Sequence, residues 1–183
     1  MKCPVCKADS LGETILVNEL PARQCAQCQG IWISSNGYMA WLRAKGTDVP
    51  ERAAGSTFDP SWEAEAFKIC PDCGHLMRRF KLFPDVEFYL DRCSHCNGIW
   101  FDHHEWEALV ERNLHDNLPD FFTRPWQDKL RAEEAKTRME GIYLLKFGAP
   151  DYEKIKEVRV WLQEHPQRSM LIAFLQAENP YEI

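Results

Sequence analysis

Hydrophobic positions fall into short extended runs early in the chain and into helical spacing late. Leu11 to Val17 and Glu19 to Gln24 read as two short strands with Asn18 near the turn. After Trp32, Ser34-Ser35-Asn36 offers helix N-cap chemistry, and Tyr38, Met39, Trp41 and Leu42 supply an apolar face. Residues 44–66 read as a connector, because Gly46, Pro50, Gly55 and Pro60 interrupt any long regular element. Trp62 and Phe67 suggest that the chain docks back before the pattern resumes.

Residues 67–117 repeat the plan. Leu76 to Phe83 and Val86 to Asp91 look like strands around Pro84-Asp85. Asp102 is placed to cap a helix through Glu105, Trp106, Leu109 and Val110. Residues 118–183 read as helical throughout. Trp126, Leu130, Met139, Ile142 and Tyr143 fit one long helix. Pro150-Asp151 starts a second, with Tyr152, Ile155, Val158 and Leu162 at three- and four-residue steps. Pro166 opens a third carrying Met170, Leu171, Phe174 and Leu175, and Pro180 lies beyond its end. Core packing is the expected role of Phe121, Phe122, Trp126, Phe147, Trp161 and Phe174.

Cysteine usage adds the chemistry. All 8 cysteines fall in CxxC pairs: Cys3/Cys6, Cys25/Cys28, Cys70/Cys73 and Cys93/Cys96. Eighteen residues separate the first two pairs and nineteen the second two. A CxxC turn sets two sulfurs along one edge of a tetrahedron, and a hairpin of about twenty residues returns the other two. Soft thiolate ligands in fours select zinc, so two structural Zn2+ ions are expected on these eight residues. Disulfides in a secreted protein are the alternative reading. The CxxC pairing argues against it, as does a start, Met1-Lys2-Cys3-Pro4, with no apolar run behind the lysine. Redox dithiol chemistry would need a βαβ context that the pattern does not supply.

The two cysteine quartets are copies. Cys25-Ala-Gln-Cys28-Gln-Gly-Ile-Trp32 aligns with Cys93-Ser-His-Cys96-Asn-Gly-Ile-Trp100 at a shift of 68, and Cys3-Pro-Val-Cys6 with Cys70-Pro-Asp-Cys73 at 67. The motif CPxC, a short hairpin, then CxxCxGIW and a polar helix start resembles the bacterial TFIIB-type zinc-ribbon family, in two tandem copies over about residues 1–113. The second copy carries Asp102 and Glu105 at the family's acidic positions, where the first has Ser34 and Gly37. The resemblance implies zinc on all eight cysteines, and its name implies transcription. Gly30 and Gly98 are expected to serve turns at positive φ. Trp32 and Trp100 are expected to pack over the metal sites. His95 is expected to face solvent, where it could donate to a thiolate, and His103 and His104 to be polar helix-start residues.

Charge bears on partners. The chain has 22 Lys+Arg against 28 Asp+Glu, a formal −6. The balance is acidic in residues 1–66 (6 basic, 8 acidic), 67–117 (6, 9) and 118–183 (10, 11) alike. Nucleic-acid affinity comes largely from basic side chains displacing counterions, so the charge disfavours that partner. Its best candidate surface is Arg78-Arg79-Phe80-Lys81 with Phe88, Tyr89 and Arg92 nearby; Glu87 and Asp91 are placed to pair with those cations across the strands. No segment approaches the ~20 apolar residues of a membrane-spanning helix.

The reading is a small α+β protein. It has a zinc ribbon with trailing helix at 1–43, a linker at 44–66, a second ribbon with helix at 67–117, and an α-helical region at 118–183. Function is expected to be non-enzymatic and cytoplasmic, with another protein as partner. Nucleic-acid or transcription-machinery binding through the second hairpin is the alternative.

Overall fold

A computed structural model describes residues 1–45, 67–84 and 86–181. The expected connector at 44–66, with Trp62, lies almost wholly outside the described residues. Phe67, which is described, is 85% exposed and does not dock.

Two units divide the chain, Met1–Ala132 and Glu133–Ile183. The division falls inside a helix, so the helices expected as one region at 118–183 are shared between the two units.

The first unit is built on one six-stranded antiparallel sheet. Strands β1 (Leu11–Leu16) and β2 (Leu20–Cys25) form a hairpin in which Leu16 faces Leu20. Asn18 and Glu19 turn the chain with φ of 56° and 64°, and the Asn18 carbonyl accepts from Trp41 Nε1 at 2.8 Å. β3 (Ile31–Ile33) pairs back onto β2 and leads into α1 (Ser35–Lys45). The second copy repeats this with β4 (Met77–Lys81), β5 (Tyr89–Cys93), β6 (Ile99–Phe101) and α2 (Glu105–Glu111). Its hairpin strands are shorter than the sequence pattern suggests: the expected strand residues from Leu82 to Phe88 lie outside β4 and β5.

The two copies are fused edge to edge. Sheet order is β1-β2-β3-β6-β5-β4, with β3 antiparallel to β6 and Trp32 opposite Trp100. Each copy therefore offers the same strand to the other, the contact geometry of a two-fold dimer within one chain. The tripeptides Ile31-Trp32-Ile33 and Ile99-Trp100-Phe101 are fully buried. Side chains alternate across a strand. Ile31, Ile33, Ile99 and Phe101 accordingly enter a core with Tyr38, Trp41, Trp106 and Leu109 of α1 and α2. Trp32 and Trp100 enter a second core with Cys3, Cys25, Cys70 and Cys93.

α3 (Leu118–Phe121) and the start of α4 (Arg124–Phe147) complete the unit. Leu118, Phe121 and Leu130 are buried. Gln127 Nε2 donates to the Lys81 carbonyl at 2.8 Å and Trp126 Nε1 to that of Leu82 at 3.4 Å, closing the strand-free stretch after β4.

The second unit holds the rest of α4, α5 (Ala149–Glu164) and α6 (Arg168–Gln176). Its helix boundaries follow the prolines as expected. Its burial does not. Tyr152 is its sole buried residue among those described, while Phe147, Trp161 and Phe174 are 47%, 52% and 49% exposed. The expected core role thus holds for Phe121, with Phe122 and Trp126 packed against the first unit's core, and is corrected for the other three. Helical spacing identifies an apolar face but not what covers it.

Candidate metal centres

Four similar turns present the cysteines. In each, the carbonyl of the leading cysteine accepts the N–H of the residue four positions on: Lys7 for Cys3, Gln29 for Cys25, Gly74 for Cys70 and Asn97 for Cys93, all at 3.0 Å. Those four residues have φ of 62°, 60°, 73° and 60°. The left-handed position thus falls one residue before Gly30 and Gly98, correcting the turn role expected of those glycines. Both glycines exist for space. A Cβ on Gly30 would lie 2.2 Å from Cζ2 of Trp100, and one on Gly98 2.3 Å from Cζ2 of Trp32.

The tryptophans therefore cross over. Trp32 leaves the first ribbon to lie on the second knuckle of the other, and Trp100 does the reverse. They pack beside the cysteine sites as expected, but each against its counterpart's knuckle. Trp32 Nε1 donates to Asp72 Oδ2 at 3.0 Å, and Asp72 lies between Cys70 and Cys73. Arg23 Nη1 holds the other oxygen of Asp72 at 3.3 Å. Trp100 Nε1 donates to Asp102 Oδ1 at 2.7 Å.

The sulfurs of Cys3, Cys6, Cys25 and Cys28 lie within 4.8 Å of one another, as do those of Cys70, Cys73, Cys93 and Cys96. Sulfur–sulfur separations are 3.6 Å for Cys3–Cys28 and 4.0 Å for Cys6–Cys25. In the second site they are 3.5 Å for Cys70–Cys96 and 3.4 Å for Cys73–Cys93. A tetrahedron with Zn–S bonds of about 2.3 Å has an S···S edge of about 3.8 Å, whereas a disulfide requires about 2.05 Å. All eight cysteines are free. The donor sets fit zinc, and each site can hold one structural ion.

Backbone dipoles prepare the sulfurs. Val5 and Cys6 donate N–H groups to Cys3 Sγ at 3.4 and 3.3 Å, and Gln27 to Cys25 Sγ at 3.4 Å, with Ser10 Oγ at 3.1 Å from the latter. Burial pushes the Cys25 thiol up, but the Cys28 N–H, the Ser10 hydroxyl and the Gln27 N–H outweigh it and bring it down to about 6. In the second site, burial of Cys93 is outweighed by the N–H groups of Cys96 and His95, giving about 7. Burial raises Cys3, Cys28, Cys70 and Cys96 above the ordinary thiol range. Each site thus has one thiol poised to ionise first and others that release protons when metal arrives.

The acidic pair of the second copy has a specific role. Lys68, 2% exposed, sets Nζ at 2.5 Å from Asp91 and 2.9 Å from Asp102. Burial favours its neutral form, but the Asp102 and Asp91 carboxylates outweigh that and raise its pKa. Glu105, the first residue of α2, accepts the Asp102 N–H at 2.7 Å. The N-cap of α2 is His104, with no side-chain hydrogen bond, so Asp102 does not cap the helix as expected; its carboxylate is taken by Lys68 and Trp100. The first copy does have a side-chain cap: Ser34, just before α1, accepts the Gly37 N–H on Oγ at 3.2 Å. Lys68 was not singled out by the sequence. Its signal is weak, a lysine two residues before a knuckle, with its partners 23 and 34 positions away.

His95 is exposed and stacks on His75, ring centres 4.1 Å apart. His103 and His104 stack at the start of α2, with His104 at φ 70°. Asp91 faces Arg79 in the register but gives its carboxylate to the buried Lys68. Lys81 pairs with Glu87 at 2.7 Å. The Arg79 guanidinium lies 4.4 Å from the Tyr89 ring centre and that of Arg92 4.9 Å from Phe122.

Two four-thiolate knuckle sites on one continuous sheet define a tandem zinc-ribbon architecture. The family described as "Transcription factor zinc-finger", the TFIIB-type zinc ribbon, matches residues 2–44 and 69–112, consistent with two tandem copies. Neither the curated proteins nor the solved structures gave a match to the chain. No helix among the described residues is long and apolar enough to cross a membrane.

Proposed function

We propose that the chain is a non-enzymatic cytoplasmic adaptor: two zinc ions stabilise the ribbons, and the helices bind another protein. Each zinc would have all four positions filled by thiolates, leaving none for substrate or water. The observation that carries the adaptor reading is apolar exposure in the second unit, where Leu145, Met170 and Leu175 are 90%, 70% and 63% exposed. Large exposed apolar patches on soluble proteins commonly mark interaction surfaces.

A second reading, nucleic-acid or transcription-machinery binding, is favoured by the ribbon-2 hairpin. There Arg78, Arg79 and Arg92 lie over aromatic rings, an arrangement that can meet bases and phosphates together. The Lys81–Glu87 pair and the acidic balance weigh against it.

The test is a pull-down of the zinc-loaded chain from its native extract, with and without nuclease. The adaptor reading expects specific protein partners retained after nuclease and little changed by Arg79→Ala with Lys81→Ala. Recovery of DNA or RNA, with binding weakened by those substitutions and flattened in its salt dependence, would favour the second reading.

A further inference from the structure

The second unit contains a groove of about 670 Å³ between the last three turns of α4, one face of α5 and the start of α6. That is the size of a well-formed binding cleft. Its apolar lining includes Tyr143, Phe147, Tyr152, Ile155, Leu162 and Ile172. Tyr143 stacks on Phe147 at 5.5 Å and on Tyr152 at 6.1 Å, giving a rigid aromatic base. Cations also line it: Lys136, Lys156, Arg159 and Arg168, against one carboxylate, Glu140. Lys136 lies 4.0 Å from Glu140 and Lys156 pairs with Glu153 at 2.8 Å. Arg159 and Arg168 have no ion-pair partner among the described residues.

We infer that this groove receives an amphipathic helix of another protein, apolar along one face and flanked by aspartates or glutamates. The inference rests on the adaptor reading and names the surface and the partner's chemistry. Lys136, Glu140, Tyr143 and Phe147 follow one another along α4 at the spacing of a single helix face, over about 17 Å. That length matches about three turns of a docked helix, whose apolar residues at three- and four-residue steps fill such a groove. The two unpaired arginines call for carboxylates, which they can hold bidentately. A second copy of this chain fits less well. An isologous contact would set the same four cations against each other, and like charges face to face oppose association. The apolar floor likewise disfavours a nucleic-acid backbone.

The test uses the full zinc-loaded chain and two fluorescein-labelled peptides of about four helical turns. Both carry leucines along one face; one has glutamates on the flanks and the other lysines. Fluorescence anisotropy should show the acidic peptide binding at least about tenfold tighter than the basic one. Arg159→Glu with Arg168→Glu, two exposed positions, should reverse that preference with an unchanged circular dichroism spectrum. Ile155→Asp should weaken both peptides.

Equal binding of the two peptides, no binding, or a preference untouched by the charge reversal would overturn the inference. So would a dimer in sedimentation that the same reversal abolishes while neither peptide binds, which would assign the groove to a second copy. The adaptor reading fails separately. If the double variant still retains the nuclease-resistant partner, the groove is wrong and the adaptor stands; if the wild-type chain retains no partner, the adaptor reading itself falls.

Discussion

A glycine and the residue before it do opposite jobs at the second knuckles. Gln29 takes the left-handed backbone position, at φ 60°, although an L-residue there costs about 1–2 kcal/mol. Gly30 leaves room for Trp100. The pair gives predictions of opposite sign. Gln29→Gly should raise stability by roughly 0.5–1 kcal/mol, because relief of strain exceeds the added freedom of the unfolded chain. Gly30→Ala should lower it by about 1–3 kcal/mol through overpacking. Denaturant midpoints of the zinc-loaded variants check both, and equal effects would contradict this division of labour. The thiols give a pH prediction. At pH 7.5, Cys25 (about 6) and Cys93 (about 7) are largely thiolate before metal arrives, while Cys3, Cys28, Cys70 and Cys96, pushed up by burial, still hold their protons. Zinc must displace those protons, so apparent affinity should fall as pH falls. The slope should steepen below pH 6–7, where Cys25 and Cys93 also protonate. Titration in weak buffer with a pH indicator measures it directly.

At the scale of elements, the β3–β6 junction makes the two ribbons one structure. Sequence reasoning found the hairpins, the trailing helices and the eight thiols, because each rests on local signals: turn residues, spacing and CxxC pairs. It missed β3 and β6. Three-residue strands buried on both faces show no alternation, and Ile31-Trp32-Ile33 reads equally well as a tail after the last ligand. The left-handed position lies one residue before the glycine that signals it, at Gln29 and Asn97, for a related reason. Glycine is the usual signal for positive φ, and its other use, close approach of a ring from a distant strand, leaves no local trace. Lys68 and its two carboxylates were illegible too, since nothing in sequence brings positions so far apart together. The crossover has a measurable consequence. Trp100, which follows Cys96, packs on the knuckle of the first site, so disorder in one ribbon should loosen the other. Cys93→Ser should remove zinc from the second site and also lower zinc affinity at the intact first site by roughly tenfold or more, about 1.4 kcal/mol of coupling. Competition with a chromophoric chelator reads both. A first site that binds zinc with wild-type affinity in this variant would show the ribbons to be independent.

At the scale of the whole molecule, the two units are stabilised by different means. The first has buried aromatic cores on both faces of its sheet and two sites that fit zinc. Structural zinc contributes about 10–16 kcal/mol in small peptides, comparable with the net stability of an entire domain at about 5–15 kcal/mol. The second unit, where Tyr152 is the one buried residue among those described, has little of either. Short helices without tertiary burial are marginal in water. Native-state hydrogen exchange should therefore separate the units. Amides of β2, β3, β5 and β6 should exchange slowly with zinc bound and lose protection when a chelator removes it. Amides of α5 and α6 should exchange quickly in both conditions. A partner that covers the exposed face should slow α5 and α6 without changing the sheet, since binding contributes stability only to the elements it orders. Strong protection of α5 and α6 in the isolated chain would mean that their apolar residues are already covered, and would remove the apolar exposure on which the adaptor reading depends.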